Sequence, residues 1–348
     1  MSITNRDILD LINNTLAAYQ SMRIEQIAQR YPDYPMWDFF IRRRKVSYES
    51  GADYIEVPLM GKQSRAARMV GLHAEDTTNI VDVTSRAKLP WRHMTTNFAY
   101  ERREILMQRN KRKLRDLIKI RKMDAMLGLC EMIEDAFFQA PSSSSDEDTL
   151  WGLPTFCVKN ATAGFNGGDP AMISGGYAEV STADVANWDN YTYSYSDVTD
   201  ADLVEKVREA MDETGFVSPE GIENDDLRKQ AREQYRIFTS KAVRREMKRV
   251  MRQNNDLLGW DFDPKSGSLS IGGTSIVGVK AIDTLDATDP IYTLDLGTVD
   301  VVFLEGDHFV ETDAEPVPNQ HNTLRVCVDA TCNIRCVDRR RNSVGYRV

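Results

Sequence analysis

The residues with most chemistry to offer are five cysteines and four histidines. Cys327, Cys332 and Cys336 fall close together in TLRVCVDATCNIRCV, spaced five and four apart. Zinc sites use paired ligands at spacings such as CxxC or HExxH. Neither occurs, and His73, His93, His308 and His321 are scattered. On an extended strand Cys327 and Cys332 face opposite sides unless a turn intervenes near Asp329. A cysteine nucleophile needs a base and an orienting group, and no spacing selects His308 or His321 for that role. With Cys130 and Cys157, these thiols read as small apolar core groups. Their odd number points to a reducing compartment and argues against a disulfide scaffold.

The other chemical signals dissolve in the same way. GGDP at 167–170, GG at 175–176 and IGG at 271–273 match neither the GxxxxGK[ST] nor the GxGxxG phosphate loop, so they read as turns. The acidic pairs Asp146/Glu147, Asp225/Asp226 and Asp261/Asp263 read as turn formers and solvated charge. DFDPKSG lacks the terminal glutamate of a calcium loop. The sequence thus assigns no catalytic, cofactor or metal residue, and the reading is of a protein that is not an enzyme.

What remains is a set of elements to be placed. The 348 residues suffice for two or three units around a sizeable core, and 41% apolar with 28% charged residues is ordinary for a folded chain. A net charge of −9 makes the whole chain a poor free-standing nucleic-acid binder, though a local basic face could still meet phosphate. No apolar run is long enough to span a membrane, and MSITNRDILDLINN lacks a secretory core.

Residues 4–20 predict a short amphipathic helix, with Thr4 as cap and Ile8, Leu9, Ile12, Leu16 and Tyr19 on one side. Either its own chain or a neighbour could cover that side. YPDYPMWDFFIRRR at 31–44 is broken by prolines and carries an aromatic anchor. Two strand-like arms, 46–59 and 79–100, flank a polar tip at 61–78, which describes a protruding hairpin mobile on its own. A single long helix is expected over 101–139, about 58 Å at 1.5 Å per residue. Its apolar positions keep no strict heptad, so a strut fits better than a coiled coil. Residues 101–122 hold ten Arg or Lys against three acids, a face for acidic neighbours, for packaged nucleic acid, or for water. SSSSDED at 142–148 predicts a flexible loop. Residues 151–200 read as loop-dominated surface with embedded aromatics. Helices follow at 199–214, capped by Thr199 with Leu203, Val207 and Met211 inward, and at 239–254. Strands are expected across 269–304, and a strand pair or long hairpin at 323–337.

Several phrases together resemble the major capsid proteins of tailed bacteriophages. They are LWGLPTFCVKNATAGFNGG at 150–168, WDNYTYSYSDVTDADLVEKVREAM at 188–211, RIFTSKAVRREMKRVMRQNNDLLG at 236–259 and QHNTLRVCVDATCNIRCVDRRR at 320–341. The resemblance implies an α+β, HK97-like capsid fold. It makes 1–45 an N-terminal arm, 46–100 the extended loop, and 101–149 the peripheral domain with its spine helix. It makes 150–318 mainly axial domain and 319–348 returning peripheral strands. It further implies an icosahedral shell of hexamers and pentamers of identical subunits around double-stranded DNA. A portal, a separate scaffold protein and a cement protein would be partners, DNA contact would be non-specific, and the location would be the virion after assembly in the host cytoplasm. No cofactor or membrane is implied. Lys62, Arg65, Arg68, Arg102, Arg103, Lys111, Arg112, Lys113 and Arg115 become candidates for intersubunit or inner-surface charge, with Trp91 and Phe98 at the loop base. Three rivals stand beside this: an encapsulin-type cellular shell, an α+β enzyme with a lid at 61–78, and a nucleic-acid-binding module on the basic helix.

Overall fold

The computed structural model describes residues 29–42, 46–51, 53–61, 69, 84–103, 111–185, 187–216, 235–253 and 269–348. In chain order the strands are β1 (Val46–Glu49), β2 (Tyr54–Met60), β3 (Thr84–Pro90) and β4 (Arg92–Glu101), followed by the long helix α1 (Lys111–Ala136). Beyond a loop-rich stretch come β5 (Tyr191–Tyr195), α2 (Glu205–Glu213), β6 (Tyr235–Ser240) and α3 (Lys241–Gln253). Then follow β7 (Ser270–Ile271), β8 (Thr274–Val279), α4 (Lys280–Leu285), β9 (Ile291–Asp295) and β10 (Val299–Leu304). The chain ends with β11 (Val310–Glu311), β12 (Glu315–Val317), β13 (Gln320–Cys336) and β14 (Ser343–Arg347).

These form two six-stranded sheets and a separate ribbon, β2–β3. The first sheet centres on β13, a strand of 17 residues. It pairs antiparallel with β4 over Thr323–Cys332 and with β10 over Cys332–Cys336, while β1 lies parallel to β10. Alternation explains β13: Leu324, Val326, Val328 and Ala330 are buried while Arg325, Cys327 and Asp329 are half-buried. The second sheet runs β5–β14–β9–β6–β8–β7. Helix α1 lays Ile118, Ala125, Leu129, Ile133 and Ala136 inward, a stripe at helical spacing. Its C-terminal part enters the main core and its N-terminal part a smaller cluster with Phe98, Tyr100, Leu324, Val326 and Val328. A third cluster seats α2 against the second sheet, with Thr199 accepting the Asp202 amide as cap and Leu203, Val207 and Met211 buried.

Several expectations change. The long helix does not begin at 101: Glu101 ends β4, paired with Thr323, because β13 offers it a ladder partner. Gln139 lies past the helix, which stops where Phe137 turns and its carbonyl accepts the Leu153 amide. The late hairpin is one continuous strand, since it is flanked on both sides by other strands. The last strands divide: β13 joins the first sheet, whereas β14 lies between β5 and β9 in the second. The ribbon base is not free-standing, because Ile55, Val57, Ala87 and Leu89 on one face belong to the main core. Nor are residues 151–200 mainly surface: Trp151, Phe156, Tyr177, Trp188 and the three tyrosines of β5 are all buried. The SSSSDED loop is wrapped on one carboxylate. Asp146 accepts the amides of Ser142, Asp148 and Thr149, bonds that hold its pKa down at about 2. The helix expected at 4–20, and the tip at 61–78 apart from Gly61 and Met69, lie outside the described residues.

Candidate functional site

Four polar centres among the described residues join the layers of the fold. Arg335 on β13 reaches across β10 to β1: its Nε and Nη2 donate to Asp300 at 3.0 and 2.6 Å, and its Nη1 to Glu49 at 2.5 Å. This two-carboxylate clamp spans three strands and raises the guanidinium pKa against the opposing effect of burial. Arg341 makes a similar pair with Asp295 at 2.6 Å, tying the end of β9 to the segment before β14.

Arg339 is different. It is fully buried and donates to three carbonyls, those of Phe156 (3.0 Å), Trp188 (2.7 Å) and Gly168 (2.7 Å), with the Tyr177 ring 5.9 Å away. Burial pulls its pKa down, although guanidinium stays charged in such surroundings. The loops of 156–190 thus converge on one cation. Asn190 completes the knot by exchanging two bonds with the Val158 backbone. A Cβ at Gly167 would sit 1.9 Å from the Asn190 side chain, so only glycine fits there.

The fourth polar centre lies on α1. Residues 30–37, which lie along the helix as an arm root, are held by three carboxylates on two adjacent turns. Glu131 accepts from the Arg30 amide and the Tyr34 hydroxyl, each at 2.7 Å. Asp135 accepts from Arg30 Nη1 at 2.9 Å and from the Tyr31 hydroxyl at 2.7 Å. Glu134, fully buried, accepts the amides of Met36 and Trp37, each at 3.0 Å. Burial pushes the Glu134 pKa up to about 7, the two amides opposing and the charges of Asp33 and Asp135 adding. Asp33 in turn pairs with Lys241 at the start of α3.

None of this assembles a nucleophile with a base. The nearest arrangement is His93 Nδ1, 2.7 Å from Thr331 Oγ1, but that buried hydroxyl donates to Asp307 and so accepts from the imidazole. Burial pushes Cys157 up to about 12 and raises Cys332 and Cys336 as well, keeping them as thiols. Among the described residues no group of three His, Cys, Asp or Glu could hold a metal ion, and no helix is long and apolar enough to cross a membrane.

Lys62, Arg65 and Arg68 lie outside the described residues. Trp91 sits at the join of β3 and β4, half-buried against the main core. Phe98 is buried farther along β4 in the smaller cluster with Ile118, so it seats the helix as much as the ribbon. Arg102 and Arg103 are exposed just past β4, with Arg103 3.9 Å from Glu101. Lys111, Arg112, Lys113 and Arg115 occupy the first turns of α1. Sequence reasoning missed Arg335, Arg339, Arg341 and Glu134. The available signal was weak: Arg335 stands at an alternating polar position of a strand, and only Glu134, between Ile133 and Ala136, is a charge in an apolar stretch of α1.

A central long strand, a long helix packed beside it, an extended ribbon and a second sheet that takes in β14 make up an HK97-like capsid fold. No family model matches the sequence, and no curated protein does. Solved structures do match. A chain of the cyanophage A-1(L) capsid is similar over 97% of this chain and 99% of its own, with a TM-score of 0.60 at 16% identity. A chain of the mature capsid of bacteriophage PhiM1 matches over 95% and 92%, with a TM-score of 0.56 at 10% identity. The SrpI encapsulin of Synechococcus elongatus matches over 97% and 95%, with a TM-score of 0.52 at 10% identity.

Proposed function

We propose that this chain is the major capsid protein of a tailed bacteriophage, the repeating subunit of an icosahedral shell around double-stranded DNA. The observation that carries the reading is the full-length likeness in fold to the cyanophage A-1(L) capsid chain, which leaves no large part of either chain unmatched. The surface suits such a role. The ribbon buries one face in its own core and turns Tyr54, Glu56, Pro58 and Met60 outward. Tyr48, 56% exposed, stands on β1, an edge strand of the first sheet. Edges and mixed faces of this kind favour pairing with copies of the same chain.

In this reading 1–45 is the arm, 46–100 the extended loop, 101–149 and 319–348 mainly peripheral domain, and 150–318 mainly axial domain. Identical subunits form hexamers and pentamers, with a portal, a separate scaffold protein and a cement protein as further partners. The basic first turns of α1, with Lys62, Arg65, Arg68, Arg102 and Arg103, supply intersubunit or inner-surface charge that meets DNA without sequence preference. The work is structural, not catalytic, and its place is the virion.

The similarity to an encapsulin keeps a cellular compartment as the second reading. Electron microscopy of the purified protein tests both. Closed shells are expected, and persistent monomers would sink both. Nuclease-protected DNA in particles made with the phage packaging proteins supports the capsid, whereas shells that enclose only a protein cargo support the compartment.

A further inference from the structure

The second sheet keeps one polar patch inside an apolar core. One of its faces packs against Val207, Ala210 and Met211 of α2 and Val243 and Met247 of α3. On that face β5 carries three buried tyrosines. Tyr195 donates to the Asp289 carbonyl at 2.7 Å, and Tyr191 bonds to Glu209 of α2. Tyr193, 1% exposed, has no partner for its hydroxyl. Two neighbouring hydroxyls share that condition: Thr293 on β9 and Ser343 on β14 are both fully buried and both without a partner. The register puts the three together. Ser343 and Thr293 are directly paired across β14 and β9, which sets their Cβ atoms about 5 Å apart. Tyr193 is paired with Gly345, two residues on from Ser343 and therefore on the same face. Because Gly345 has no side chain, the Tyr193 ring can lie over β14: a Cβ there would be 2.1 Å from the ring and 2.7 Å from the hydroxyl oxygen. The phenol tip is thus set above the strand that carries Ser343. None of the three hydroxyls bonds to another.

We propose that one ordered water is bound among Tyr193, Thr293 and Ser343 and bonded to all three. Each hydroxyl offers one donor and can also accept, and water matches them with two donors and two lone pairs. About three bonds is the usual number for a buried water. Three unpaired hydroxyls in one core would be costly, and native interiors rarely leave such groups unpaired. Burial raises the Tyr193 pKa, so the phenol stays neutral and able to donate. Neutral partners in an apolar cluster suit water rather than an ion, whose desolvation they would not offset. The water links β5, β14 and β9, and so fastens β14 to both of its neighbours in the sheet.

A density map of the full-length protein, fine enough to show ordered water, tests this directly. A single peak within hydrogen-bonding distance of all three hydroxyls is expected. Its absence, or hydroxyls bonded directly to one another, would overturn the proposal. Substitutions that delete a hydroxyl and keep the shape give a second readout, urea unfolding of the full-length subunit. Thr293→Val and Tyr193→Phe should each raise the unfolding equilibrium constant about fivefold, since each leaves the water short of a partner. Removing a hydroxyl that had no partner would instead lower the constant, so a fall or no change sinks the site. The double variant should raise it about tenfold rather than by the product of about 25-fold, because both deletions weaken the same water. An effect equal to the product would show that the two hydroxyls share no ligand.

Discussion

The two halves of α1 are held in different ways. The C-terminal half places Leu129, Ile133 and Ala136 in the main core, and the arm root closes over its other side through Glu131, Glu134 and Asp135. The N-terminal half rests Ile118 and Ala125 on a smaller cluster over β4 and β13. Its polar ties among the described residues include Arg121 Nη1 donating to the Ala99 carbonyl at 2.9 Å, Thr96 Oγ1 donating to the Ala125 carbonyl at 3.4 Å, and Lys122 paired with Glu311 on β11. Among the described residues the C-terminal half is thus covered on two sides and the N-terminal half on one. The C-terminal half therefore lies where the main core and residues 30–37 meet.

Truncation of the apolar stripe is the strongest way to break that contrast. Ile133→Ala, at a site 2% exposed in the main core, is expected to cost about 4 kcal/mol. Ile118→Ala, as well buried but in the smaller cluster, should cost about 2 kcal/mol because that cluster can collapse around the gap. Urea denaturation of unassembled subunits measures both. Equal costs, or a larger one at Ile118, would show that the two halves are clamped alike.

Glu134 sharpens the contrast through pH. Its folded pKa of about 7 lies above the ordinary glutamate value of 4.5, so the folded state holds the proton more tightly than the unfolded state. Stability from this group is therefore complete below pH 4.5 and declines as pH rises to 7. The difference amounts to roughly 3 kcal/mol. Glu134→Gln removes the titration while keeping a carbonyl for the Met36 and Trp37 amides. It should stabilise the chain by up to about 3 kcal/mol at pH 8 and leave it nearly unchanged at pH 4. A variant whose advantage did not vary between those pH values would mean that folding leaves the Glu134 pKa at its ordinary value.

Much of the fold was legible in the sequence, and the places where it was not share a cause. The Thr199 cap, the inward Leu203, Val207 and Met211, and the glycine turn between β7 and β8 follow local rules, and they stand where those rules put them. The start of α1 did not follow locally. Residues 92–101 have a strand partner only because β13 arrives more than 200 residues later. The placement of β14 beside β5 is likewise a matter of long-range pairing. The aromatics of 151–200 looked like surface because glycine, serine and asparagine surround them. They are buried because Arg339 gathers those loops by their carbonyls, and no neighbouring residue in the sequence announces that. The candidate charges fared differently again. Intersubunit contacts have no local signature, so composition could nominate Arg102 or Lys111 but not say what each would meet.

The smallest expected effects contrast a polar tie at each end of α1. Tyr34→Phe deletes one partly buried bond to Glu131 at the clamped end and should cost about 1 kcal/mol. Lys122→Ala breaks a solvent-exposed ion pair with Glu311 at the other end and should cost about 0.5 kcal/mol or less, falling further in high salt. Denaturation curves at low and high ionic strength separate the two. The Tyr34 cost should persist in salt because a hydroxyl bond at a shielded carboxylate is screened little, whereas the Lys122 cost should fade. If the Lys122 cost were the larger and insensitive to salt, the N-terminal end would be anchored by charge.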